Sequence, residues 1–425
     1  MTTENPAAPR RSRWLVLGGF SLLVACTQLL WLTFAPITTQ AHHALGVSEG
    51  AIGDLAVINP LMYVLLALPT GRWLDRRFGR ALSAGALLTA GGALLRLAGP
   101  GSYAWILAGQ VVLSAGQPLV LNATTKVAAR YFPASQRTAA ISVASAAQFC
   151  GILAAALTGG PLQQAGGLRL LLLVQAVVAV AGAACVLVAV RVPATFAADS
   201  PVAISLRWLR RDRVMWLLAG LLFIGVGVFN AVATWLDAIL GHFGHGGASG
   251  TLIAIMTVAG IAGAAVLPGA VARRDRRRTM LLVTTAVTAV VFLAIAAVPG
   301  VLFAGCALAV EGFVLLAGLP VSLDWSELHA GPERAGTAAG FLLLAGNLGG
   351  VLFVVVIQAV IGNPYVALAA ISVLALPGLA LAARLPARVG PGLARVTGPD
   401  GPGPGGGSAA DGPLGRKVPG PARDA

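Results

Sequence analysis

Apolar runs of about twenty residues recur along this chain, and the polar gaps between them alternate in character: every second gap is crowded with arginine, and those between hold almost none. An α-helix rises 1.5 Å per residue, so about 20 residues cross a hydrocarbon layer about 30 Å thick. With glycine, proline, asparagine and charge clusters as boundaries, the pattern predicts twelve membrane helices. Six cover 14–37, 51–69, 81–98, 103–125, 138–160 and 169–190, and six more cover 214–240, 251–271, 280–298, 301–323, 335–361 and 365–384. All but two of the 29 lysines and arginines, Arg96 and Arg169, then fall on one side. Basic residues accumulate in cytoplasmic loops, which predicts a multi-pass protein of the inner (plasma) membrane with both termini cytoplasmic.

The same pattern divides the chain into a cytoplasmic N-terminus (1–13), a six-helix bundle (14–190), a cytoplasmic linker (191–213), a second six-helix bundle (214–384) and a Gly/Pro-rich tail (385–425). The linker joins Trp208 to Arg207, Arg210, Arg211 and Arg213, which suits a short amphipathic surface helix. The tail carries "GPDGPGPGGG" at 398–407, a composition that cannot build a packed core, and disorder is expected there. The first apolar run follows Arg10, Arg11 and Arg13 and is too long for a cleaved signal core, so it is expected to remain as the first helix.

Composition narrows the function classes. A mean hydropathy of +0.85 with 10% charged residues excludes an ordinary soluble fold. The net charge of +14 sits in short loops beside apolar spans, where it orients helices and meets anionic lipid, so no nucleic-acid partner is expected. The four cysteines lie singly in separate runs and read as small core residues. No metal site is expected, since His242 and His245 have no further ligands nearby. No phosphate-binding loop or G-x-S-x-G elbow occurs, so neither an enzyme nor a cofactor is expected, and the partners reduce to the bilayer and a small-molecule solute of a monomer.

An internal repeat supports two related halves. The second helix ends in "LPTGRWLDRRFGR" (68–80) and the eighth in "LPGAVARRDRRRTM" (267–280), each a basic turn with a proline, a glycine and an aspartate. The first copy resembles the G-x-x-x-D-R-x-G-R-R loop of the major facilitator superfamily, with one inserted residue. Gly71 and Gly79 permit a tight turn, and Asp75 with Arg76 and Arg80 forms a latch at the cytoplasmic side. This resemblance implies an all-α membrane protein of twelve helices in two pseudo-symmetric six-helix bundles, with the solute site between them. A narrower resemblance covers most of the membrane domain: 13–37, 125–140 ("TKVAARYFPASQRTAA") and 318–340 ("GLPVSLDWSELHAGPERAGTAAG") are similar to the feline leukaemia virus subgroup C receptor-related facilitators, whose animal members move choline and ethanolamine and, by earlier proposals, haem.

In those members the choline pocket has a Trp, a Gln, a Tyr and a Gln. The resemblance puts these at Trp31, Gln117, Asn230 and Asn347, where the first two match and the last two depart. An aromatic face beside an amide suits a quaternary ammonium, and Asn230 and Asn347 equally suit a more polar solute. Gln110, Ser114 and Gln117 form one polar stripe that must face a cavity or another helix, and Thr27 and Gln28 carry the same two readings. Glu311, near mid-bilayer, is a candidate to carry a coupling proton, to oppose a cationic solute or to be a neutral structural acid. Asp324 and Glu327 near Arg137 and Arg334 suggest a cytoplasmic gate. Arg96 is expected to snorkel outward or to pair with Asp54 or Asp237.

The function that follows is secondary transport of a small organic solute by alternating access, with a choline-like solute as the candidate the resemblance implies. The alternatives are a proton-coupled drug or metabolite exporter and, more remotely, a receptor or integral-membrane enzyme such as an acyltransferase.

Overall fold

The computed structural model describes residues 10–194, 196, 208–330 and 334–387. The tail beyond 387 and most of the expected linker helix lie outside the described residues; the linker's end is a 3-10 turn at Leu209–Arg211.

Helices α1 (Arg10–Trp31), α2 (Thr38–Leu45), α3 (Glu49–Ala98), α4 (Tyr103–Leu121), α5 (Thr124–Tyr131) and α6 (Ala134–Ala189) build the first bundle, and α7 (Arg213–His242), α8 (Ser249–Arg273), α9 (Arg277–Ala297), α10 (Val301–Ala330), α11 (Ala335–Gln358) and α12 (Pro364–Ala383) the second. Eleven of these stretches are long and apolar enough to cross a membrane. One of them, Ala140–Ala189, crosses twice. Straight, the 56 residues of α6 would run about 84 Å, far beyond any bilayer. The helix breaks instead at Gly166 (φ −160°, ψ 21°) and Gly167, whose φ of 67° favours a residue without a Cβ. The 50-residue α3 breaks likewise at Arg77 (φ −143°, ψ 60°), inside the basic loop. The protein is thus a multi-pass membrane protein with twelve crossings.

Contacts repeat between the bundles. α1 packs chiefly on α6 as α7 does on α11, and the same close pairing joins α3 to α4, α8 to α10 and α9 to α12. Lipid is as apolar as leucine, so helices gain little by hiding leucine and associate through close backbone approach instead. Gly151 of α6 lies against the Ala25 carbonyl of α1, and Gly349 of α11 lies against the Phe223 carbonyl of α7. Large apolar side chains such as Leu15, Leu87, Val177, Val290 and Leu302 remain on the outer surface. The same physics corrects the cysteine expectation: Cys26 is buried, but Cys150, Cys185 and Cys306 are exposed.

The second basic loop has lost its later glycine, and Asp275 takes the left-handed conformation there (φ 48°), which aspartate tolerates better than most residues. Next to it, Arg277 Nε donates to Asp324 Oδ2 at 2.8 Å.

Candidate functional site

Hydrogen bonds that cross between the bundles lie, among the described residues, on the face opposite the basic loops. The chain after α1 forms a 3-10 turn at Ala35–Ile37 and then α2, and this segment meets α7 and α8 of the other bundle. The Thr39 backbone N–H donates to Asp237 Oδ2 at 2.9 Å, and Ser249 Oγ donates to Asp237 Oδ1 at 2.6 Å. The Ser249 hydroxyl also lies 3.3 Å from the Pro36 carbonyl, and Thr38 Oγ1 lies 3.4 Å from the Thr234 carbonyl. Gln358 Nε2 of α11 donates to Asp54 Oδ1 of α3 at 3.3 Å. Trp235, wholly buried, presses its ring against Gly53 and donates its indole N–H to the Val354 carbonyl at 3.0 Å. One apolar core runs across both bundles here, and Trp31 packs against it. Toward the basic face, Arg277 pairs with Asp324, and His329 with Asp212, within the second bundle.

The sequence-derived pocket residues are shared between the two bundles, and among the described residues no hydrogen bond joins one to another. Trp31, half-buried at the end of α1, donates its indole N–H to the Ala56 carbonyl of α3 at 2.9 Å. Gln28, one turn earlier, is buried where α1 meets Gly151. Gln117 is buried on α4, and Asn230 is buried on α7 with its amide against Gly350 of α11. Asn347, half-buried, donates to the Leu343 carbonyl of its own helix at 2.9 Å.

The polar stripe on α4 faces other helices. Ser114 Oγ donates to Asn59 Oδ1, and Gln110 Oε1 accepts from Arg96 Nη1 at 2.8 Å. Arg96 departs from expectation most. It neither snorkels nor meets an acid, because α3 turns it into the first bundle, where it is 0% exposed. The two aspartates foreseen as its partners are engaged elsewhere, Asp54 with Gln358 and Asp237 with Thr39 and Ser249.

Glu311 on α10 is fully buried. Its Oε1 lies 2.7 Å from Thr288 Oγ1 of α9, and its Oε2 has no hydrogen-bond partner among the described residues. The Thr288 hydroxyl has one hydrogen and a second acceptor in reach, the Thr284 carbonyl at 2.9 Å.

Of the basic-face latch, Gly71, Arg76, Gly79 and Arg80 lie along the α3 turn, whereas the Asp75 side chain lies outside the described residues. Of the gate expected of Asp324 and Glu327 with Arg137 and Arg334, the described side chains have other neighbours. Asp324 is held by Arg277, Glu327 is exposed without an ion pair among the described residues, and Arg334 stacks over Trp208 at 5.4 Å. The Arg137 side chain is outside the described residues. Sequence reasoning missed Trp235, Thr39 and Ser249, and it named Asp237 for an outer gate but with Arg96 as the partner. The signal for Asp237 was an acid inside an apolar run.

Residues 20–354 match the family model of the Major Facilitator Superfamily. Solute carrier family 49 member A3 of Danio rerio is 30% identical over 378 residues, 82% of this chain and 78% of that protein. The choline/ethanolamine transporter FLVCR2 of Homo sapiens is 32% identical over 138 residues, 32% of this chain and 26% of that protein. Among solved structures, a bacterial homolog of the human lysosomal transporter Spinster, inward-facing and occupied, superposes with a TM-score of 0.68 at 15% identity, covering 88% of this chain and 97% of its own. An autoinhibited POT family peptide transporter gives 0.68 at 12% identity, with the same two coverages.

Proposed function

Because the chain belongs to the major facilitator superfamily, on its feline leukaemia virus subgroup C receptor-related branch, we propose that it carries a small organic solute across the plasma membrane by alternating access, with both termini in the cytoplasm. The observation that carries this reading is the one-sided junction: among the described residues, the bonds between the bundles gather at the face opposite the basic loops. Two rigid bundles hinged at one face can expose a site between them to the other, and rocking of 14–190 against 214–384 would exchange the two states. Trp31, Gln28, Gln117, Asn230 and Asn347 would line the solute site. The Trp31 indole N–H is already used by Ala56, which leaves the ring face for a cation.

A choline-like solute is the first to test. Purified protein is expected to melt at a higher temperature with choline or ethanolamine, since a ligand held at 100 times its Kd stabilises the folded state by about 2.7 kcal/mol. Trp31→Ala should weaken choline binding by about tenfold or more, the loss of a desolvated cation–π contact of about 2 kcal/mol. A shift with choline that survives Trp31→Ala would remove Trp31 from the site.

Glu311 favours a second reading, a proton-coupled exporter. A protonated Glu311 would donate to Thr288 Oγ1 and leave the Thr288 hydrogen for the Thr284 carbonyl, so the cluster can hold a proton without a counter-charge. In proteoliposomes, Glu311→Gln is expected to abolish the response of solute flux to an imposed pH gradient while leaving exchange without a gradient intact. Flux that still follows the gradient in this variant would exclude Glu311 as the coupling group.

A further inference from the structure

Arg96 lies in the bundle interior without a carboxylate, which at membrane depth is costly unless something else meets its charge. What meets it is the broken end of α1. The helix stops at Trp31, so the Leu30 carbonyl receives no backbone N–H from a continuing helix and takes the Thr33 hydroxyl at 2.8 Å instead, and the carbonyls of this turn form the negative end of the helix dipole. That last turn contains no basic residue of its own. Arg96 supplies one from α3: Nη1 donates to the Leu30 carbonyl at 3.0 Å and Nη2 to Thr33 Oγ1 at 2.7 Å. The remaining contacts are neutral acceptors and a ring, with Gln110 Oε1 at 2.8 Å, Gln175 Oε1 at 2.8 Å and the Phe34 ring centroid at 5.4 Å. Thr33 Oγ1 also lies 2.7 Å from Gln175 Oε1, so α1, α3, α4 and α6 converge on one guanidinium. Its two arms grip the residues on either side of Trp31 in the chain.

We propose that Arg96 is a positioning residue that caps the broken end of α1 and thereby fixes where Trp31 stands relative to the junction of the two bundles. The proposal rests on the reading of Trp31 as part of the solute site, since that gives its placement a consequence for transport. A planar fork suits two acceptors set apart along a helix end, which a lysine reaches less completely. The next segment leads through Pro36 and Thr39 into the contacts with Asp237 and Ser249, so slack at residues 30–33 would reach the junction as well.

The test is local accessibility and needs no solute. Trp31→Cys is placed in a chain whose Cys26, Cys150, Cys185 and Cys306 are alanine, reconstituted in liposomes and treated with a membrane-impermeant maleimide. Adding Arg96→Gln is expected to raise the labelling rate at position 31 by about tenfold, as local opening of a helix end does. Arg96→Lys should stay within about threefold of the parent, and Thr33→Val, which removes one acceptor and keeps the shape, should fall between the two. A second reporter, Thr257→Cys, is buried on α8 of the other bundle and should label no faster in any of these variants. An unchanged rate at position 31 in Arg96→Gln, or an equal rise at position 257, would overturn the proposal. Failure of every tested solute to bind the parent protein would defeat the transport reading and leave this labelling result standing.

Discussion

Gly349→Leu is expected to leave no folded, monodisperse protein after extraction, and Gly349→Ala to lower its melting temperature sharply. A Cβ at residue 349 would overlap the Phe223 carbonyl and sit 2.8 Å from the Phe223 Cα, and both obstacles are backbone. A flexible side chain can move aside, whereas a helix backbone can only retreat as a whole. Retreat of α11 from α7 would strip the contacts of Gly350 with Asn230 and of Gly227 with Phe353, and the 3.0 Å bond from the Trp235 indole to the Val354 carbonyl. Overpacking costs about 1 to 3 kcal/mol where neighbours can adapt, and here the loss extends along a whole helix pair. Gly18 on α1 is the counter-case: a Cβ there meets nothing within 4 Å, so Gly18→Ala should be neutral or stabilising by about 0.5 to 1 kcal/mol through helix propensity. Thermal unfolding followed by size-exclusion of the two alanine variants checks the opposite signs, and equal shifts would refute the close-packing account.

The fold was largely legible because the bilayer imposes its own ruler. Span length, loop charge and the breaks at Arg77 and Gly166–Gly167 follow from hydrocarbon thickness and the demand that backbone polar groups be satisfied inside helices. What a linear pattern supplies is depth; it does not supply azimuth. Arg96 stands near the end of α3, which suggests snorkelling, but the rotation of α3 turns it toward Leu30 and Gln110 instead. The stripe of Gln110 and Ser114 was readable as buried, yet its partners Asn59 and Arg96 lie 51 and 14 residues from Gln110 in sequence. A clearer internal signal went unused: 115–122 (AGQPLVLN) and 317–324 (AGLPVSLD) are copies of one segment, and they put Gly109, which packs on the Arg96 side chain, in register with Glu311. The repeat thus sets two fully buried ionisable side chains, the base Arg96 of α3 and the acid Glu311 of α10, beside corresponding positions of the two bundles. The resemblance likewise supplied positions for Trp31, Gln117, Asn230 and Asn347 but not their surroundings, because which face of α7 or α11 looks inward depends on the glycine contacts between them.

Asp237→Ala is expected to shift the protein from a state closed at the face opposite the basic loops to one open there. Asp237 is 0% exposed and holds two groups at once: the Thr39 N–H of the first bundle at 2.9 Å and the Ser249 hydroxyl at 2.6 Å. Only the first bond joins the bundles, and it must break whenever that face opens. A hydrogen bond to a charged group contributes about 1.5 to 3 kcal/mol net, and about 1.4 kcal/mol is a factor of ten in an equilibrium. Loss of the Thr39 bond should therefore favour the open state by about ten- to a hundredfold, provided the open state lets water reach the orphaned N–H. Alanine leaves that N–H buried and unpartnered in the closed state, a further bias in the same direction. Asp237→Asn should shift less, because its amide oxygen can still accept from Thr39 while its N–H₂ turns toward Ser249. Spin labels at residues 45 and 245, on the two bundles at this face, read the change directly as a longer interlabel distance in the alanine variant. Ser249→Ala gives the comparison: it keeps the Thr39–Asp237 crossing bond and loses only the longer 3.3 Å contact with the Pro36 carbonyl, so it should move the distance distribution less than Asp237→Ala does. An alanine variant with the parent's distances would mean that the Trp235 ring against Gly53 and the apolar core around it hold the face shut without the carboxyl group.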